Sequence, residues 1–172
     1  YVEPFVGGAN MIDKVDGNRI GADNNEYLIA MWQGLQENKS RPYLIEKELY
    51  SKARDFFNKS DYSIFDKFMI GWIGWMGSYN GRFFDGGYSG KSNTKIGTVR
   101  DYIKEAISNI EKQIPKLNGI EFVNFDYKEV VIPDNSIVYC DIPYENTKQY
   151  STSKGFNHSG FWDYARKLST EG

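Results

Sequence analysis

Three short apolar runs in this chain each end on an aspartate: "NRIGAD" at residues 18–23, "IEFVNFD" at 120–126 and "SIVYCD" at 136–141. A fourth, "YVEPF" at 1–5, runs into the pair Gly7 and Gly8. A strand buried on both faces ends on a charge at some cost, so solvation alone does not account for three such endings. Between the runs lie stretches of helical period, and strands separated by helices imply a parallel sheet. In open sheets of that kind ligands bind beyond the carboxyl ends of the strands. The Gly7-Gly8 turn, Asp23, Asp126 and Asp141 are therefore where chemistry is expected.

The helical stretches are legible from their spacing. Residues 24–38 carry Tyr27, Leu28, Met31, Trp32 and Leu35 on one face. Residues 44–58 and 62–77 read as two further helices, with Pro42 before them and "NKSD" between them. The segment "SYNGRFFDGGYSGKSN", 78–93, is rich in Gly, Asn and Ser and reads as turns or a hairpin. Thr98 is expected to open an amphipathic helix with Val99, Tyr102, Ile103, Ala106, Ile107, Ile110 and Ile114 on its apolar face, Thr98 and Asp101 as a capping box, and a stop at Pro115. Residues 159–168 give a final helix.

Composition narrows the class. A chain of 172 residues, 40% hydrophobic and 26% charged, suffices for one core, with room for an insertion. A net charge of -2 exerts no global pull on nucleic acid, so any such binding rests on a local patch. One cysteine, Cys140, admits no internal disulfide and fits a reducing cytoplasm, and with a single histidine, His158, no metal site is expected. The longest apolar stretch, "FMIGWIGWMG", is too short to span a bilayer, so no membrane is expected as a partner. That run reads as helix packing. Tyr1 is not an initiator methionine and the chain opens at the end of a strand, which reads as a piece of a longer polypeptide.

The glycines and the first acid admit two readings each. A Gly-Gly turn lets backbone approach a ligand closely and frees amide donors, but it also serves as a tight turn with no ligand, and "VGGANM" lacks the spacing of a dinucleotide fingerprint. Asp23 stands where an acid accepts ribose hydroxyls in nucleoside-binding sheets, and also where a helix beginning at Asn24 needs an N-cap. The two roles are compatible. Asp141 has a bland reading as well, a turn-forming acid before a proline.

Four stretches taken together carry a resemblance: "EPFVGGAN" at 3–10, "GADNN" at 21–25, "SYNGRFF" at 78–84 and "VYCDIPYENT" at 138–147. In order and spacing the chain resembles the DNA adenine-N6 methyltransferases of the Dam type, the D12 class. The resemblance implies an α/β fold: a doubly wound, Rossmann-like methyltransferase core, incomplete at both ends, over 1–38 and 117–172, with a mostly helical insertion over 39–116 that holds the DNA-recognition segment. It implies S-adenosylmethionine as cofactor, double-stranded DNA as partner and a bacterial or phage cytoplasm.

It also assigns roles. The catalytic loop would be Asp141, Ile142, Pro143 and Tyr144. The Asp141 carboxylate and the Ile142 carbonyl would accept the two hydrogens of the adenine amine, Pro143 would stiffen the loop, and Tyr144 would stack on a flipped base. Ile142 stands where the family has proline, which is tolerable if only the carbonyl acts. Glu3, Phe5, Gly7, Gly8 and Asn10 would line the methionine side of the cofactor, Asp23 its ribose, and Asp126 and Tyr127 its adenine; Phe125 and Asp126 as simple core and cap compete with this.

For DNA, residues 82–116 carry seven basic side chains against four acidic, a mild local excess. Tyr79 and Asn80 of the "YNG" element, with Arg82, Lys91, Asn93 and Lys95, would contact phosphates or base edges, whereas Lys104, Lys112 and Lys116 read as a solvated helix face. The resemblance leaves alternatives: an amino-methyltransferase acting on RNA or on a protein glutamine, and a DNA-binding remnant without transfer activity. Lacking the segments that flank this stretch in the family, the chain on its own is expected to bind the cofactor weakly, to be inactive and to self-associate through an open sheet edge.

Overall fold

The computed structural model describes residues 1–145 and 154–171. Asn146 and Thr147, the tail of the last quoted motif, lie outside the described residues. The chain divides into two compact units, Tyr1–Asn25 with Gly119–Gly172, and Glu26–Asn118.

The first unit is built on a parallel sheet of β1 (Val2–Glu3), β2 (Arg19–Ala22) and β5 (Ile120–Val123), in the order β1-β2-β5. Val2 pairs with Ile20, and Arg19 through Ala22 pair with Ile120 through Val123. On the far side of β1, Val138 forms a parallel bridge to Val2, held by Val2 N–H to Ile137 O at 2.9 Å and Tyr139 N–H to Val2 O at 2.9 Å. The chain thus winds outward from β1 through β2 to β5, then returns to lie along the other edge of β1. The winding reverses beside β1, so the loops after β1 and after residue 138 leave from adjacent positions at the carboxyl edge. Val2, Ala22 and Val130 form the packed centre, with Ile20, Val123, Ile132 and Val138 against it. Gly21 permits that closeness: a Cβ there would lie 2.9 Å from Val6 and 3.1 Å from the Phe122 ring. The helix of this unit is α5 (His158–Glu171), anchored by buried Phe161.

One expected strand is much reduced. Residues 136–141 make a single bridge instead of a ladder, with Ile137 72% exposed and Tyr139 38% exposed. Alternation explains it: Val138 turns inward onto β1 while its neighbours face away, and the segment pairs on one side only among the described residues.

The second unit is mostly helical: α1 (Glu26–Gln36), α2 (Lys47–Lys59), α3 (Lys67–Gly77) and α4 (Tyr102–Gln113), with an antiparallel hairpin of β3 (Lys91–Asn93) and β4 (Val99–Asp101). The "FMIGWIGWMG" run is α3, and its glycines let neighbours close in. A Cβ at Gly71 would lie 2.1 Å from the Tyr27 carbonyl oxygen of α1, and one at Gly74 would meet the rings of Phe84 and Phe83 within 2.8 Å. Trp72 is fully buried and donates its indole N–H to Pro42 O at 2.8 Å. The run is helix packing, as its period implied. Buried Arg41 stacks on Trp72 and pairs with Glu111 at 2.8 Å.

The helix expected from Thr98 begins four residues later. Residues 99–101 are claimed by the hairpin, which Thr94 and Thr98 close through Thr94 N–H to Thr98 O at 2.8 Å and a hydroxyl pair at 2.7 Å. The Thr98–Asp101 capping box does not form. Asp101 is itself the N-cap, accepting the Lys104 amide at 3.0 Å. A turn at Gly97, with φ +80°, makes ladder bonds available that an isolated helical turn does not offer.

Candidate functional site

The loop after β1 turns sharply. Gly7 has φ +44° and Ala9 φ +52°, and Ala9 N–H returns to Val6 O at 2.7 Å. Nothing lies within 4 Å of where a Gly7 Cβ would stand, so the backbone there is open to approach. Asp23, just past β2, ties this loop to the next. Its Oδ2 accepts the Gly7 amide at 3.1 Å and its Oδ1 the Asn25 amide at 2.9 Å. Burial raises the Asp23 carboxyl above the ordinary carboxylate range, and these two amides oppose the rise. Each carboxylate oxygen keeps a lone pair beyond the one its amide uses. The Asn25 bond spans two residues and closes a turn ahead of α1, which starts at Glu26, so the expected N-cap of a helix from Asn24 does not form; the carboxylate keeps acceptor capacity for hydroxyls.

Glu3 is 2% exposed within β1. Tyr1 Oη donates to Glu3 Oε1 at 2.9 Å. Burial pushes the Glu3 carboxyl up to about 7, the charges of Asp13 and Asp141 add to this, and hydrogen bonds from Tyr1 and the Ile12 backbone oppose it. Asp13, which the sequence reading did not single out, is buried and ion-paired to exposed Lys14. Lys14 Nζ also reaches the Asn10 carbonyl at 3.2 Å, while Asn10 itself is exposed. The signal for Asp13 was available only as a lone acid beside a lysine.

Phe5 leads into an aromatic cluster. Its ring lies 5.2 Å from that of Tyr127 and 5.7 Å from those of Phe156 and Phe161. Tyr127 also meets Tyr164 of α5 at 5.0 Å, and both hydroxyls are buried with no partner among the described residues. Tyr164 carries no sequence mark beyond being an aromatic residue on an amphipathic helix. Asp126 is exposed and organises a turn, accepting the Lys128 amide at 3.1 Å while its own amide bonds Glu129. Phe125 is 47% exposed and is no core residue.

Asp141 is exposed, so the charge that closes the apolar run avoids burial altogether. Tyr144 Oη donates to Asp141 Oδ1 at 3.3 Å, and the Asp141 charge raises the Tyr144 phenol above its ordinary value. Tyr144 is 69% exposed. His158, the first residue of α5, bonds through Nε2 to Pro143 O at 2.7 Å. Sequence reasoning missed this contact, and only the uniqueness of the histidine could have drawn attention to it. Cys140 beside the loop is partly buried, which pushes its thiol up to about 11.

In the second unit, the "YNG" element is a tight turn with Asn80 at φ +54° and Gly81 at φ +64°. Tyr79, 45% exposed, and Asn80 lie at the surface, Arg82 is half-buried, and Ser78 beneath them accepts the Phe84 amide at 2.8 Å. Lys91, Asn93 and Lys95 are exposed on the hairpin. The expected nucleic-acid residues are thus gathered on one turn and one hairpin of this unit. Arg100 is engaged elsewhere, bidentate with Glu105 at 2.7–2.9 Å.

Asp23 keeps acceptor lone pairs, nothing lies within 4 Å of where a Gly7 Cβ would stand, and the buried Tyr127 hydroxyl has no partner among the described residues, an arrangement with room for vicinal hydroxyls. Among the described residues, no group of three His, Cys, Asp or Glu side chains is arranged to hold a metal, and no helix is long and apolar enough to cross a membrane. The family described as D12 class N6 adenine-specific DNA methyltransferase matches residues 1–172. A comparison with curated proteins returned no match.

Proposed function

We propose that this chain, which belongs to the D12 class of N6 adenine-specific DNA methyltransferases, is the methyl-transferring part of a site-specific DNA methyltransferase that uses S-adenosylmethionine. The observation that carries the reading is the reversal of winding beside β1. It brings the Gly7 loop and the Asp141–Tyr144 loop out at adjacent positions of one sheet edge, where open α/β sheets hold their ligands. We read the sheet as the doubly wound, Rossmann-like half of a methyltransferase core, with 1–38 and 117–172 serving the cofactor and 39–116 serving DNA.

S-adenosylmethionine, when bound, supplies an electrophilic sulfonium methyl. Asp23 would hold its ribose through the lone pairs its two amide bonds leave free. Glu3, Phe5, Gly7, Gly8 and Asn10 would line the methionine end, and Asp126 and Tyr127 the adenine. The exocyclic amine of adenine is a poor nucleophile because its lone pair is delocalised into the ring. Asp141 and the Ile142 carbonyl would each accept one of its hydrogens and so aim the nitrogen lone pair. The exposure of Asp141 suits an acceptor that meets a base swung out of the duplex, and Tyr144, 69% exposed, would stack on that base. Tyr79, Asn80, Arg82, Lys91, Asn93 and Lys95 would supply DNA contacts.

The test is mass spectrometry of nucleosides from unmethylated DNA incubated with S-adenosylmethionine and the chain carried within the longer polypeptide that the sequence leads one to expect. N6-methyladenine is the expected product. Its absence, with methyl groups recovered instead in RNA or in a protein amide, would reassign the acceptor.

A further inference from the structure

Pro143 sits inside the proposed catalytic loop, and its ring fixes φ near -65°. Its ψ is left free by the ring. That angle sets the direction of the Pro143 carbonyl and with it the course of the chain into Tyr144. In this structure the carbonyl is met by His158 Nε2 at 2.7 Å. A carbonyl oxygen only accepts, so Nε2 must carry the proton. The contact joins two residues fifteen apart in the chain, the second of them the first residue of α5.

The histidine is held in turn. Asn157 precedes it and caps the helix, accepting the Gly160 amide on Oδ1 at 2.9 Å, while Phe161 N–H bonds Asn157 O at 2.9 Å. Phe156 lies edge-on to the imidazole with ring centres 4.9 Å apart. The imidazole is therefore positioned by a capped helix start and an aromatic wall. A second contact steadies the far side of the same loop, Tyr144 Oη to Asp141 Oδ1 at 3.3 Å. Ring, imidazole and phenol together restrict the four-residue loop at both of its ends.

We propose that His158 is a positioning residue for methyl transfer: its Nε2–H clamps the Pro143 carbonyl and so fixes the Asp141–Tyr144 loop in the orientation that receives the target amine. This rests on the functional reading above. It does not make His158 an acid or a base, since the bond it makes among the described residues goes to a backbone carbonyl and not to a reacting group. The clamp acts on the geometry of the transition state, where a misplacement of about 1 Å costs roughly a hundredfold in rate. Its link to the side proposed for the cofactor is indirect, through Phe156, whose ring lies 5.7 Å from Phe5 and 5.9 Å from Tyr127.

Because the chain has a single histidine, the experiment has an unambiguous spectroscopic arm. In protein labelled with nitrogen-15 histidine at mildly alkaline pH, the imidazole is expected as the Nε2–H tautomer with slowed solvent exchange. A ring protonated on Nδ1 instead overturns the clamp. In the kinetic arm, His158→Ala is expected to lower kcat about 10- to 100-fold, with S-adenosylmethionine Kd within about twofold. His158→Gln, whose amide nitrogen can donate at similar reach, is expected to recover most of the rate. A wild-type kcat in His158→Ala, or equal impairment in the two variants, also overturns it. Should His158→Ala fail to fold, His158→Gln and the imidazole spectrum decide. Wild-type protein that leaves no N6-methyladenine in DNA refutes the functional reading, and the spectrum then judges the contact by itself.

Discussion

The two units differ in the charges they bury. In the helical unit the interior is aromatic rings and glycine contacts, and the Arg41 guanidinium is paired through Nη2 with Glu111 and stacked on Trp72, while its Nε has no partner among the described residues. In the sheet unit, acids stand at strand ends. Glu3 is buried among like charges, Asp23 is raised by burial, and the hydroxyls of Tyr127 and Tyr164 lack partners among the described residues. A small sheet with few buried apolar side chains has little stability to spare, yet it tolerates these costs. Strain of this kind gathers where a protein binds or reacts, because a group already fully satisfied has nothing to offer a ligand.

The largest expected effect bears on the sheet unit's chemistry. Asp141→Ala should reduce methyl transfer about a thousandfold, as for loss of an oriented acceptor at the reacting atom, while calorimetry finds S-adenosylmethionine affinity within a few-fold. A comparable collapse in cofactor binding would mean that Asp141 serves the cofactor and not the amine. On the other side of the comparison stands packing. Gly71→Val drives a side chain into the Tyr27 carbonyl and should cost about 3 to 4 kcal/mol in urea unfolding, or prevent folding. Wild-type stability in that variant would show that α1 and α3 can move apart freely.

Glu3 gives the sheet unit a pH signature. With its carboxyl at about 7 against an ordinary 4.5, the folded state holds the proton more tightly than the unfolded state. The stability this contributes is fully present below about pH 4.5 and is lost as pH rises through about 7. The full shift corresponds to at most about 3 kcal/mol. Glu3→Gln should flatten this fall and raise the melting temperature at pH 8. A slope between pH 5 and 7 that survives the substitution would place the proton elsewhere.

Smaller effects follow. Asp23→Ala should weaken S-adenosylmethionine by about 1.5 to 3 kcal/mol if a charged hydrogen bond to ribose is lost; unchanged affinity would leave Asp23 as the tie between the Gly7 and Asn25 amides alone. In the helical unit, replacing Arg82, Lys91 and Lys95 together by alanine should lower the salt slope of DNA binding by roughly one per phosphate contact removed. An unaltered slope would move the DNA surface away from the turn and the hairpin.

Much of this was legible along the chain. The order and type of β1, β2, β5 and of α1 to α5 follow from local period and from punctuation by Gly and Pro, because those signals act over a few residues, whereas α3 and α4 start later than the period implied, at Lys67 and Tyr102. So did the character of α3, whose glycines recur every three residues at 71, 74 and 77 and lie on a packed face. The motif order was enough to point to the family that matches residues 1–172. Tertiary structure decided the rest. Whether 99–101 joins a helix or a strand depended on a partner strand at 91–93, and residues 136–141 met a neighbour on only one side among the described residues. The rise of the Glu3 carboxyl needed Asp13 and Asp141 brought near it, and the bond from His158 to Pro143 joins residues fifteen apart. Local propensity reads neighbours in sequence, whereas desolvation, charge and long-range hydrogen bonds depend on neighbours in space.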